Sequence, residues 1–127
     1  MITIAEIIEQ VDKLKVNQYT ESDKIKWLSE LDGKIINEVI ESHEDSEVYL
    51  KSDEYNVPPY TDNTQFLLID KPYEQVYVYY LMTKIDFFNA EYERYNNNMS
   101  MFNEAYAEFR RFYNREHMPL PTKVRGI

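Results

Sequence analysis

The sequence predicts a mainly α protein: a helical bundle of about four helices, with one long connecting loop that holds a small β-ribbon and an extended C-terminal tail. Three observations carry this prediction. Apolar residues recur at steps of three and four over long stretches, only two glycines occur in 127 residues, and prolines and acidic residues gather in one internal segment and near the C-terminus. A chain of this length is expected to be one domain with a core of ordinary size, here residues 1–117, followed by a tail over 118–127.

Thr3 and Glu6 have capping-box spacing, and Ile4, Ile7, Ile8, Val11 and Leu14 follow at helical spacing. They predict a first helix over 4–16. After a connection at Asn17–Thr20, Thr20 or Ser22 caps a second helix whose stripe is Ile25, Leu28, Leu31, Ile35 and Val39, widened by Trp27, Ile36 and Ile40. Gly33 lies inside this helix at a cost of about 1 kcal/mol relative to Ala. Close packing against a neighbour or a local kink would account for it.

From Ser42 to Lys71 the helical period is lost. Val48-Tyr49-Leu50 and Phe66-Leu67-Leu68-Ile69 are expected to pair as the β-ribbon, with Pro58-Pro59 at its tip. A connection this long is a candidate interaction loop. Pro72 then suits a first helical position. Val78, Leu81, Ile85, Phe88, Tyr92, Tyr95, Met99, Phe102, Tyr106, Phe109 and Tyr113 alternate steps of three and four without a slip. Against this preserved phase stand Asn96-Asn97-Asn98, three poor helix formers in a row. In a compact domain they predict a break or sharp kink there, with two antiparallel helices burying the shared stripe; Phe88, Phe102 and Phe109 are the expected core rings. The tail from His117 carries two prolines and no period, and is expected to be extended.

Composition excludes several functions. The net charge of −9 disfavours bulk binding to a phosphate backbone, and the absence of cysteine removes disulfides, thiolate metal sites and cysteine nucleophiles. The N-terminus has no signal-peptide pattern, and no apolar run approaches the roughly 18 residues of a membrane span. A soluble, intracellular chain is the expectation. With glycine only at 33 and 126, phosphate-cradling loops are ruled out. His43, Glu44, Asp45 and Glu47 crowd oxygen and imidazole ligands together, but their spacing reads as an acidic surface loop. No catalytic residue, cofactor or metal is expected.

Two uneven distributions remain. Residues 1–93 hold 8 basic and 20 acidic side chains, whereas residues 94–127 hold 6 and 3, including all five arginines. Eight of the twelve tyrosines lie between Tyr73 and Tyr113. Tyr and Arg are enriched at protein interfaces. The candidate subunit-interface residues are therefore Tyr77, Tyr80, Tyr92, Tyr95, Arg94, Arg110, Arg111 and Arg115. Simple i,i+4 pairing on a solvated face is the plainer reading of the arginines.

The layout of a short first helix, a second helix with Trp27-Leu28 and Leu31-Asp32-Gly33, a long loop, Pro72-Tyr73 opening an aromatic helix, Tyr95-Asn96-Asn97, Phe102-Asn103, and a tail with His117-Met118-Pro119 resembles the head-tail connector, or adaptor, proteins of long-tailed bacteriophages and prophages. The resemblance implies a non-enzymatic virion assembly protein. It would form a homo-oligomeric ring, commonly twelvefold, between the portal protein and a tail-side connector at the virion neck, after assembly in the host cytoplasm. DNA would pass through the channel without specific binding. It also implies a portal-binding role for the tail, through Met118, Pro119, Leu120, Pro121, Lys123 and Arg125. The alternative is an acidic DNA mimic that inhibits a nucleic-acid enzyme, although Glu6, Glu9, Asp12 and Glu30, Glu38, Glu41 are sparsely spaced for that.

Overall fold

The computed structural model describes residues 1–40 and 56–116. These form four helices: α1 (Ile4–Leu14), α2 (Glu21–Glu38), α3 (Gln75–Phe88) and α4 (Tyr92–Glu116). The protein is mainly helical, as its periodicity predicts. The acidic run at 43–47, the ribbon partner at 48–50, and the tail from 117 lie outside the described residues.

Both early caps form. The Thr3 hydroxyl accepts from the Glu6 amide at 3.2 Å, and α1 buries Ile4, Ile7, Ile8 and Val11. Its last residue is Leu14, two short of the predicted end, because Lys15 is extended. In α2, Thr20 and Asp23 make a reciprocal capping box, with the Asp23 amide 3.1 Å from Thr20 Oγ1 and the Thr20 amide 3.3 Å from Asp23 Oδ2. This satisfies two of the unpaired donors at a helix start. Gly33 does not mark close packing: a Cβ there would meet nothing within 4 Å.

The run at 66–69 finds its partner at the N-terminus. Thr3 and Phe66 form an antiparallel bridge, supported by Leu67 N–H to the Ile2 carbonyl at 3.0 Å and Ile4 N–H to the Gln65 carbonyl at 3.1 Å. Ile2, Ile4 and Ile69 are fully buried and Leu67 nearly so, so this pairing seals one end of the core. Pro72 is not the first residue of α3. The Tyr73 amide donates to the Asp70 carbonyl in a turn, and the helix begins at Gln75, three residues after Pro72.

The expected break at Asn96–Asn98 is absent, and α4 runs through it unbroken. The hairpin turn lies earlier, at Asn89-Ala90-Glu91. There the Glu91 amide donates to the Asp86 carbonyl at 2.9 Å and the Ala90 amide to the Phe87 carbonyl at 3.1 Å, with Ala90 at φ 58°. These two bonds are those of a Schellman ending, which normally places glycine where Ala90 stands. Asn98 stays helical while its side chain donates to Asp86 Oδ2 at 2.7 Å across the hairpin. Ring pairs fix the antiparallel order of α3 and α4: Tyr73, in the turn before α3, on Phe112 at 4.7 Å, Tyr80 on Phe102 at 5.4 Å, and Phe87 on Tyr95 at 5.7 Å.

One buried carboxylate joins three segments. Asp32 of α2 is inaccessible to solvent and accepts from Tyr60 Oη at 2.5 Å, Tyr77 Oη at 2.7 Å and the Leu68 amide at 3.1 Å. Tyr77 Oη in turn accepts from the Ile69 amide at 2.8 Å. Burial pushes the Asp32 carboxyl up to about 6, against the opposing pull of the three hydrogen bonds. Burial also holds the Tyr77 hydroxyl well above its ordinary range, with the Asp32 and Tyr60 charges acting in the same direction.

Because the folded chain holds the Asp32 proton more tightly than the unfolded chain does, this group's contribution is largest at low pH. It is lost as pH rises from about 4 through 6. Asp12 and Asp70, whose carboxyls are held below their ordinary value, lose their contributions only at still lower pH. Urea unfolding should therefore give roughly 2 kcal/mol more stability from Asp32 at pH 4.5 than at pH 7. The Asp32→Asn protein should lack that increment, and an unchanged pH slope in the variant would contradict the assignment.

Candidate interaction surface

Where α1 ends and α3 turns into α4, a polar network holds the chain segments together. Lys15 Nζ lies 2.6 Å from Asp86 Oδ1 and 3.6 Å from Glu91, and Arg94 reaches Glu91 at 3.2 Å. Asp86 is fully buried. Its Oδ1 has no well-angled hydrogen bond, and the ammonium beside it satisfies it as an ion pair. Asn89 Oδ1 accepts from Tyr19 Oη at 2.8 Å and from Gln18 Nε2 at 3.1 Å, tying the α1–α2 connection to the hairpin. Nearby, Lys24 is buried on Asp12 at 2.8 Å. Burial tends to raise the Asp12 carboxyl, but the hydrogen bonds from Lys24 and Asn17 outweigh it and hold the group low.

Around this network stand large apolar side chains facing solvent. Leu14, Val16, Phe87, Phe88 and Tyr92 are each between 50 and 95 % exposed. Among the described residues the other exposed large apolar side chains are Met1 and, less so, Met101. The rings are not loose. Phe88 stacks on Trp27 at 5.6 Å and 11°, Phe87 meets Phe88 edge-on at 5.3 Å, and Tyr19 meets Trp27 at 5.5 Å. Phe87 and Phe88 touch each other, while Leu14, Val16 and Tyr92 are chain neighbours of the network residues Lys15 and Glu91; exposed apolar side chains gathered at one place mark an interaction site more than single ones do.

The candidate interface residues do not form one surface. Tyr77 is fully buried on Asp32, so it is not available to a partner. Tyr80 is half-buried against Phe102, with Lys84 5.5 Å over its ring; burial, then the charge of Glu30, pushes its hydroxyl up to about 12. Tyr95 packs on Phe87. Tyr92 and Arg94 do belong to the exposed end. Arg110, Arg111 and Arg115 are exposed farther along α4, where Arg110 covers Tyr106 at 5.3 Å and Tyr106 donates to Glu38 at 3.0 Å. Phe88, an expected core ring, is about half exposed, whereas Phe109 is buried and Phe102 partly so. No local pattern marks the doublet Phe87-Phe88 as exposed, since adjacent helical residues such as Tyr77 and Val78 are both buried.

A second surface feature lies on α2. A groove of about 1010 Å³ runs along this helix past Ile25, Ser29, Gly33 and Ile36 to a wall at Pro58 and Pro59. Gly33 forms part of it, which explains the open space where a Cβ would stand.

Among the described residues no group of three His, Asp or Glu side chains is placed to hold a metal ion, and no described helix is long and apolar enough to cross a membrane. No family model, curated protein or solved structure matches the chain.

Replacing Lys15 by Ala should leave the Asp86 carboxylate buried with only Asn98 as partner, costing about 3 kcal/mol in urea unfolding at pH 7. A loss below about 1 kcal/mol, the size of an exposed ion pair, would contradict a structural role for Lys15 at this end.

Proposed function

We propose that the chain is a non-enzymatic structural subunit that assembles as a homo-oligomeric ring. In keeping with its resemblance to connector proteins, the ring is an adaptor between the portal protein and a tail-side connector in the neck of a long-tailed phage virion. The observation that carries the reading is the gathering of five exposed apolar side chains on one rigid end of the bundle. Such a surface is costly to leave in water and is accounted for by a protein neighbour. The polar groups that could support chemistry, Asp32 and Asp86, are sealed inside and engaged in holding segments together.

The acidic balance supports the channel setting. A ring of subunits each carrying −9 repels the phosphate backbone, so DNA passes without specific binding. In this reading the tail at 118–127 grips the portal, Lys123 and Arg125 supplying its charged contacts, and the protein resides in the host cytoplasm before it joins the virion.

Electron microscopy of the protein mixed with purified portal-bearing capsids tests this. An additional ring of density beneath the portal is expected, and capsids indistinguishable from untreated ones would contradict the proposal. Deleting residues 118–127 should leave the helical circular dichroism unchanged and abolish the added density. A ring formed equally well by the truncated protein would remove the tail from the contact.

A further inference from the structure

Helix α4 carries an exposed stripe whose charges have no counterpart within the chain. Glu104, Glu108, Arg111 and Arg115 follow one another at steps of four, three and four, which places all of them within an arc of about 60°. Each is exposed, and the buried Phe109 and Tyr113 of the same helix lie about 130–170° around from the stripe. Other arginines of α4 are engaged: Arg94 reaches Glu91, and Arg110 lies over the Tyr106 ring. The stripe is different. None of its side chains has an ion-pair, hydrogen-bond or ring partner among the described residues, and Glu108 and Arg111, three residues apart, do not pair with each other.

Within one chain the order of these charges is unfavourable. Glu104 and Glu108 are like charges at i,i+4, as are Arg111 and Arg115, and such neighbours repel. Turned end for end, the same order is its own complement. A second α4 laid antiparallel sets Arg111 opposite Glu108 and Arg115 opposite Glu104 in one register, and the two-fold axis repeats both contacts. A parallel, in-register neighbour would set like charge against like.

We propose that two copies of this chain associate through the exposed faces of their α4 helices, antiparallel, held by these four reciprocal ion pairs. The occupant of the face is thus a second copy of the chain. The helices overlap from Asn103 to Glu116, about 21 Å at 1.5 Å per residue. The contact is isologous and closes at two. Exposed ion pairs are individually weak and are screened by salt, so the dimer belongs to high protein concentration and low ionic strength. It uses neither the apolar end nor the α2 groove. The inference goes beyond the assembly reading, because it requires no portal and is tested apart from any ring on capsids.

Sedimentation equilibrium of the full chain provides the test. Three variants are compared with the wild type: Arg111→Glu with Arg115→Glu, whose stripe is wholly acidic; Glu104→Arg with Glu108→Arg, whose stripe is wholly basic; and the protein carrying all four changes. The sites are exposed, so the circular dichroism of each should match the wild type. The wild type should dimerise at low salt, its dissociation constant rising at least about ten-fold between about 20 mM and about 500 mM salt, where the Debye length falls from about 20 Å to about 4 Å. Each two-site variant alone should stay monomeric, and their equimolar mixture should dimerise. The four-site variant keeps the net charge of the wild type. It should dimerise with itself but not with the wild type, because their antiparallel stripes oppose like charges.

A wild type that is monomeric at low salt would overturn the proposal, as would dimers that both two-site variants retain on their own. Preferential pairing of the four-site variant with the wild type would overturn it in favour of parallel, in-register helices. Assemblies larger than two that the two-site variants abolish would overturn it in favour of a staggered parallel contact.

Discussion

The fold depends on one buried carboxylate. Asp32 receives two tyrosine hydroxyls and one backbone amide from parts of the chain that local propensity does not bring together: Tyr60 and Leu68 from the connection, and Tyr77 from α3. Burying an acid is expensive, and its hydrogen bonds do not fully offset that, which is why its proton is held up to about 6. The bonds are directional, however, and an apolar contact is not. They set the register of residues 60–69 against α2 and so place Leu67 and Ile69 in the core and Phe66 opposite Thr3. Tyr60, held by its hydroxyl, carries Pro58 and Pro59 into position as the groove wall.

A second polar junction does the same at the other end of α3. Asp86 uses its side chain to bind Lys15 and Asn98, and its carbonyl to close the hairpin through Glu91. The 14-residue α3 is thus fixed near both ends by ionisable groups inside the protein, with Val78, Leu81 and Ile85 buried between them. Neither junction leaves a carboxylate free for solvent or substrate. What they produce is rigidity, and the exposed rings of Phe87 and Phe88 stand on that rigid frame. An interface whose free form is already ordered loses less conformational entropy on docking.

The sequence reading succeeded where the determinants are local. The caps at Thr3 and Thr20 and the stripes through Ile7, Val11, Leu28 and Ile35 are spacing rules, and they placed α1 and α2 to within a few residues. The aromatic stripe was legible as helix, and its unbroken phase was the better guide at Asn96–Asn98 than the poor propensity of asparagine. Propensity there amounts to tenths of a kcal/mol per residue, and packing across the hairpin overrides it. The true turn was hidden because Ala90 takes a backbone conformation that normally calls for glycine.

The surfaces were harder to read, because they depend on contacts distant in sequence. Tyr77 looked like any other surface-capable tyrosine, and nothing near it announces a partner 45 residues away. The apolar end is assembled from the ends of two helices and the start of a third, so no single stripe reveals it. Gly33 stands out inside a helical pattern, but its reason, a groove, depends on the distant wall at Pro58 and Pro59. These misses share a cause: periodicity identifies which face of an element is apolar, not which neighbour covers it.

The central claim is that Asp32 and Tyr77 clamp the connection onto the bundle strongly enough to make the groove wall part of the core. Native-state hydrogen exchange at the Leu68 and Ile69 amides, which donate to those two side chains, tests it most directly. The account predicts that both amides exchange only through global unfolding, with the same opening free energy as Leu81 and Ile85 in α3. Exchange of Leu68 and Ile69 through a much lower-energy local opening, with α3 still protected, would contradict it.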